Sequence, residues 1–207
     1  RDTSVTGVQT CALPILVEEA TRRFGVTLRR MDTKNFVRDV RTFLSIYNSS
    51  LGGTWGFTPL SEGEIDHMAA SMKHLIAPEM TSIAEIDGRP VATAFALLDY
   101  NPRIKKIDGR LFPFGFMRLF WNRKAIKNIR LISANVVPEY QKWGLGVVLL
   151  SRLVPEAIAW GVKNVEFSWV LESNHLSYKS LKRGGAKLIK TYRIYDCGPN
   201  SQWAEDT

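Results

Sequence analysis

The stretch 135-NVVPEYQKWGLGVVLL-150 decides how this chain is read. Its first residues close a β-branched apolar run, "IRLISANVV" (129–137), which stops at Pro138. A second apolar run opens after two glycines one residue apart, Gly144 and Gly146. A strand that leads through a loop into a helix aims several backbone N–H groups at one point, and the first helical turn adds orphan donors and a partial positive charge. Glycine lets such a backbone approach an anion with no Cβ between them. Gln141, Lys142, Trp143, Gly144, Leu145, Gly146 and Val147 therefore form a candidate anion cradle. Two known phosphate loops are excluded. The Gly-Lys-Ser/Thr of a Walker loop is missing, and Leu149 stands where a dinucleotide fingerprint needs its third glycine.

Working outward, residues 16–25 read as a helix ended by Gly25, with a short strand "VTLRR" (26–30) after it. Phe36, Val40, Phe43, Leu44 and Tyr47 recur at helical spacing until "NSSLGG" stops them. Ser61 and Glu64 form a capping-box pattern ahead of the stripe Ile65, Met68, Met72 and Leu75, and Pro78 is expected to end that helix. "TSIAEI" (81–86) and "VATAFALL" (91–98) make a hairpin across Asp87-Gly88. A helix is expected from about Leu145 to Trp160, closed by Gly161 and bent or broken by Pro155. "NVEFSWVL" (164–171) reads as a strand, "SNHLSYKSLKRGG" as a short helix with Asn174 as cap, and "AKLIKTYRIYD" (186–196) as a final strand. The order β-α-α-β-β-insert-β-α-β-α-β predicts an α/β (α+β) fold, a mixed sheet with helices on both faces.

Composition narrows the class. At 207 residues the chain is one domain, or one domain plus a fragment of another, and 45% hydrophobic content with no long apolar run excludes a spanning helix. Residues 1–15, "RDTSVTGVQTCALPI", lack a period and resemble translated sequencing-adapter scars, so they are set apart from the fold as non-native. That leaves Cys197 as the single thiol. With three scattered histidines there is no disulfide framework and no metal signature, and a reducing cytoplasm is the expected location. The net charge of +8 is concentrated: Arg103, Lys105, Lys106, Arg110, Arg118, Arg123, Lys124, Lys127 and Arg130 stand against Asp108 alone over 101–130. An anionic partner and a solvated basic face both fit that block.

Gln141-x-x-Gly144-x-Gly146, preceded by Val136-Val137-Pro138, resembles the coenzyme A pyrophosphate loop of the GNAT N-acetyltransferases. The element order over residues 26–196 and the eleven-residue spacing from Asn174 to Gly185 are similar to that family as well. A closer likeness is to uncharacterised bacterial GNAT-like proteins built of two halves, whose C-terminal halves carry stretches similar to "WGFTPLSEGE", "GRLFPFG", "SWVLESN" and "KTYRIYD". The resemblance implies a GNAT-like, mostly antiparallel sheet and a domain over 26–207 with a basic-aromatic insert at 101–127. It further implies that 16–25 is the remnant of a linker from a missing N-terminal half. It implies acetyl-CoA or another acyl-CoA as co-substrate, no metal, a small-molecule or peptide amine as acceptor, and no nucleic acid. An acyl carrier protein is an alternative donor that the basic block would dock.

Direct attack of a neutral amine on a thioester needs a held donor, hydrogen bonds to the developing oxyanion and a path for the proton. The strand end at Asn135, Val136 and Val137 is expected to supply backbone donors, and Asn174 to join the cofactor site. For a base, Glu166, Ser168 and Glu172 share one strand face by period-two alternation, with Ser168 toward the substrate. The family's acid tyrosine falls at Leu181, so Tyr178, one turn earlier, is the acid candidate. A non-catalytic CoA-binding or partner-supporting module is the rival reading that Leu181 raises. Trp55 and Phe57 lie where the family builds its acceptor pocket, although aromatics there more often belong to the core. The insert "RLFPFGFMRLFW" (110–121) suits a lid, a membrane surface, an acyl-chain slot or an ordinary amphipathic helix.

Overall fold

A computed structural model describes residues 18–19, 22–54, 56–183 and 185–193. Five strands form one sheet in the order β1 (Val26–Arg29), β2 (Ile76–Ile86), β3 (Arg89–Leu98), β4 (Asn128–Val136), β5 (Asn164–Phe167). The first four run antiparallel to their neighbours, and β5 lies parallel to β4. Among the described residues, six α-helices follow β1: α1 (Phe36–Leu51), α2 (Glu62–Met72), α3 (Asn101–Lys106), α4 (Gly115–Phe120), α5 (Leu145–Trp160) and α6 (His175–Arg183). This is the mixed, mostly antiparallel sheet with helices on both faces that the pattern predicts.

The two faces follow from alternation along the strands. Ile83 and Phe95 join Val40, Phe43 and Leu44 of α1 and Ile65 and Ala69 of α2 on one side. On the other, Ala84, Ala92 and Ala94 present a floor of small side chains against which α5 packs Leu145, Val148, Leu149 and Leu153. A third cluster roots the 101–127 insert: Tyr100, Ile126 and Ile129 pack with Met80 and Leu98, and Phe120 and Trp160 close over them.

Local signals account for most boundaries. Ser61 and Glu64 complete the capping box of α2, and Asp87 and Gly88 take the positive φ values of 51° and 73° that a tight hairpin turn requires. Pro78 does not end α2. The helix stops at Met72, and Pro78 lies inside β2, where the ladder breaks register between Ile76 and Thr81. A bulge tolerates a residue that has no N–H to donate. Pro155 leaves α5 unbroken from Leu145 to Trp160, and it sits on the exposed side, where losing one backbone hydrogen bond costs least. The strand expected over 164–171 ends at Phe167, because β4 gives no partner beyond that point. The final strand expected over 186–196 is not formed in 186–193, and 194–196 lie outside the described residues. Its alternating pattern finds no sheet edge to pair with, and an isolated strand is not stable in water.

Helix α1 is tied to the sheet by charge as well as packing. Asp39, fully buried, accepts hydrogen bonds from Arg29 Nη1 at 2.6 Å and Nη2 at 3.0 Å, and from the Asp32 N–H at 2.8 Å. Arg29 also donates to Glu85 at 2.8 Å, so one guanidinium joins β1, β2 and α1. Burial alone would push the Asp39 carboxyl up. The Arg29 hydrogen bonds, the Asp32 N–H and the charges of Arg29 and Arg38 outweigh it, and the carboxyl titrates below its ordinary range. A lowered carboxyl pKa contributes stability above the ordinary aspartate value of 3.8 that is lost as the pH falls through the folded-state value. Asp39→Asn is therefore expected to lower unfolding free energy by about 2–4 kcal/mol near neutral pH, toward the low end because Arg29 remains partly solvated. Urea midpoints should show this gap closing as the medium is acidified below the ordinary aspartate range.

Candidate functional site

The site begins where two parallel strands part. β4 pairs with β3 along its length, but with β5 only from Asn128–Leu131 to Asn164–Phe167. From Ile132 onward its other edge has no strand partner among the described residues. Ile132 is also an extra residue: Phe95 lies opposite Ser133 and Ala96 opposite Leu131, so β4 carries a bulge where the strands diverge. Bulges increase twist and re-aim the backbone, which opens the fork.

Ladder alternation decides which groups face that fork. The Val137 N–H donates to Val91 O at 3.0 Å, so the backbone groups of Asn135 and Ser133 also point toward β3, while those of Ala134 and Val136 point away from it. Of the three donors expected at Asn135, Val136 and Val137, only the Val136 N–H faces the fork. The other two are spent on the sheet. The Asn135 side chain is nevertheless notable: it is buried at 4% exposure, and its Nδ2 has no hydrogen-bond partner. Thr93, opposite it in register, has a buried Oγ1 in the same condition. Unpartnered buried polar atoms are costly, so this pair lowers the stability of the strand end.

Beyond the fork, a 3-10 turn (Pro138–Trp143) delivers the chain to Gly144, whose φ of 73° is left-handed and favours glycine. The Val147 and Val148 N–H groups fold back on Gly144 O, leaving those of Leu145 and Gly146 as first-turn donors. Gly146 has no such backbone reason to be glycine. A Cβ there meets nothing within 4 Å. Glycine inside a helix costs about 0.5–1 kcal/mol relative to alanine. The space beside Gly146 at the helix mouth is open, and a first helical turn is where an anion would be received.

The side chains of the loop hold it rather than reach out from it. Gln141 Nε2 turns inward to Val136 O at 3.3 Å and Ser50 O at 3.5 Å. Trp143 packs against Phe24 and Tyr140 with ring centroids 4.2 and 4.7 Å away, and Leu145 is buried in the core beneath α5. Lys142 and Val147 are exposed beside the helix mouth. Phe24 carries no signal in the sequence because its partner lies more than a hundred residues away.

The proton-handling residues do not assemble as expected. Glu166 is on exposed β5 and pairs with Arg130 at 3.0 Å, Ser168 lies past the strand end, and Glu172 sits in an exposed turn. The shared face required a strand through 172, and β5 stops at Phe167. Asn174 Oδ1 caps α6 by accepting the Ser177 N–H at 3.1 Å, so its acceptor is committed to the helix. Tyr178 is exposed on α6, and Leu181 is half-buried. Phe57, half-buried, packs edge-on against Tyr47 at 5.5 Å, and Trp55 lies outside the described residues. An open groove of about 720 Å³ lies instead between α1 and the segment after β4, with Arg38, Ser45, Arg89, Val137 and Glu139 among its lining. Arg41, also in its wall, is engaged by Glu62 and Asp66. Among the described residues, no cluster of three or more His, Cys, Asp or Glu side chains could hold a metal ion.

A five-stranded, mostly antiparallel sheet with helices, in which β4 runs through a glycine loop into a packed helix, matches the GNAT acetyltransferase fold, and this chain has that fold. Aminoglycoside N-acetyltransferase AAC(6')-Iy in complex with CoA matches it with a TM-score of 0.53 over 83% of this chain and 94% of that one, at 13% identity. No family model matches the chain. Protein YghO of Escherichia coli (strain K12) is 33% identical over 192 residues, spanning 89% of this chain and 48% of that protein. Bacterial ceramide synthase of Caulobacter vibrioides (strain NA1000 / CB15N) is 32% identical over 178 residues, spanning 83% of this chain and 46% of that protein. The chain thus covers about half the length of these curated relatives.

The two glycines separate stability from binding. Gly146→Val is expected to leave the melting temperature of the free protein unchanged or slightly raised, since the space is open and valine is the better helix former. CoA is expected to raise the melting temperature of the parent chain, and the same variant is expected to lose that rise. A variant that still responds to CoA would place the phosphates elsewhere.

Proposed function

We propose that the chain is an acyl-CoA-dependent N-acyltransferase that joins an acyl group to a primary amine by direct attack. The observation that carries this reading is the open fork of β4 beside the Gly146 helix mouth. The Val136 N–H on the free edge would pair with the pantetheine arm, and the Leu145 and Gly146 N–H groups would receive the pyrophosphate. The thioester carbonyl would then lie deeper in the fork, toward the Ile132 bulge and away from the helix mouth, where the Ala134 N–H is the edge-facing donor for its developing oxyanion. A neutral amine entering from the groove beside α1 forms the C–N bond, the C–S bond breaks, and CoA leaves as the thiolate. With Glu166 paired to Arg130, we assign the amine's proton to water in the open groove rather than to a carboxylate of this strand.

The relative named a bacterial ceramide synthase favours one version of this reading. A ceramide is the amide of a fatty acid with a long-chain amino alcohol, so the bond made there is the same amide. We therefore propose a long-chain acyl donor and a lipid amine acceptor ahead of acetyl transfer to a small or peptide amine. Purified protein incubated with acetyl-CoA or palmitoyl-CoA, and with a polyamine or a long-chain amino alcohol, is expected to release free thiol in an amine-dependent way. The palmitoyl-CoA and amino-alcohol pair should be fastest. Preference for acetyl-CoA with the polyamine would overturn the long-chain version. CoA binding without amine-dependent thiol release from any pair would favour a non-catalytic module.

A further inference from the structure

The 101–127 insert takes no part in the fork, yet it is held rigidly. Arg103 donates to the carbonyls of Leu119, Trp121 and Asn122, Arg123 to Leu75 O and Lys127 to Trp160 O, so three of the cations are internal braces. Gly115 lets α4 pass so close to Arg110 that a Cβ would meet its carbonyl oxygen. What this brace presents is unusual for a protein surface. Phe112, Trp121 and Phe114 are 87%, 73% and 68% exposed, with Leu111, Phe116 and Met117 also exposed between them. Phe114, Met117 and Trp121 wall an open cleft of about 610 Å³ together with Lys106 and Arg118. Lys105, Lys106, Arg110 and Arg118 are exposed around the same apolar tip with no hydrogen-bond or ion-pair partner among the described residues. Asp108 is the one acidic residue in the insert.

We propose that this insert seats the protein on the surface of an anionic lipid bilayer. Phe112, Phe114 and Trp121 would enter the headgroup and acyl boundary, and Lys105, Lys106, Arg110 and Arg118 would lie against lipid phosphates. Aromatic and aliphatic side chains among lysines and arginines are the composition of an interfacial element, in which apolar burial and attraction to anionic lipid add. A protein partner fits this surface less well, because the centres of protein interfaces are depleted in charge and especially in lysine. The inference stands independently of acyl transfer, since it uses none of the fork residues.

Co-sedimentation of the full chain with vesicles tests it. The protein is expected to pellet with vesicles of phosphatidylcholine mixed with phosphatidylglycerol, to stay in solution with phosphatidylcholine alone, and to be released by salt. Lys105→Glu with Lys106→Glu should reduce partitioning by about tenfold or more. Phe112→Ser with Phe114→Ser should reduce it comparably, and both pairs, being exposed, should keep the parent melting temperature. Brominated lipid should quench tryptophan fluorescence in the parent more than in Trp121→Phe. Failure to pellet with the anionic vesicles, or pelleting that neither pair of substitutions weakens, would overturn the proposal. So would tight binding to polyglutamate or single-stranded RNA without vesicle binding, which would reassign the patch to an acidic protein or a nucleic acid.

Discussion

The parting of β4 from β5 is the constraint on which the rest of this molecule depends. A strand in mid-sheet would spend all its backbone groups on its neighbours and have none to offer. β4 spends one edge on β3 throughout, but loses β5 after Leu131. The extra residue at Ile132 makes that loss structural rather than incidental, because a bulge turns the strand away at the point where pairing stops. The alternation that sends the Val137 N–H to Val91 leaves the Val136 N–H pointing into the gap.

Holding a strand half-unpaired requires firm support elsewhere, and the two faces of the sheet provide it. The alanine floor under α5 brings that helix close enough for its first turn to stand beside the strand end, which is why Gly144 and Gly146 lie where the fork opens. On the opposite face, the Arg29–Asp39 pair and the aromatic contact between Phe43 and Phe95, edge-on at 4.5 Å, fix α1 along the groove. Gln141 then ties the loop to both, bridging Val136 and Ser50. The mouth of α5, the strand edge and the groove are thus positioned by packing within the sheet and its helices, and backbone dipoles fixed in advance are what transition-state stabilisation of this kind requires.

What was legible in the sequence was what local chemistry determines. The capping box at Ser61 and Glu64, the Asp87-Gly88 turn, the Gly161 terminus and the glycine loop each rest on neighbouring residues, and each is found where the pattern places it. Errors arose where a distant partner decides. Pro78 reads locally as a helix stop but sits in a bulge that only the β2–β3 register reveals. Glu166, Ser168 and Glu172 alternate correctly for a strand, but β4 does not stay to pair with it. Gln141 reads as a ligand donor, and in the fold its Nε2 also donates to Val136 O at 3.3 Å and Ser50 O at 3.5 Å, contacts that local sequence does not reveal. The Ile132 bulge, which opens the site, had no signal at all, because a bulge is a property of two strands and not of one.

The central claim is that an acyl-CoA lies along the free edge of β4 with its phosphates at the mouth of α5. Amide hydrogen exchange with and without CoA addresses it most directly, because the ligand is proposed to bind backbone N–H groups. The account predicts slowed exchange confined to Ala134 and Val136 in the fork and to Leu145 and Gly146 at the helix mouth, with Asn135 and Val137 unchanged. Protection centred on the α1 groove or on the insert, with the fork unaffected by saturating CoA, would contradict it.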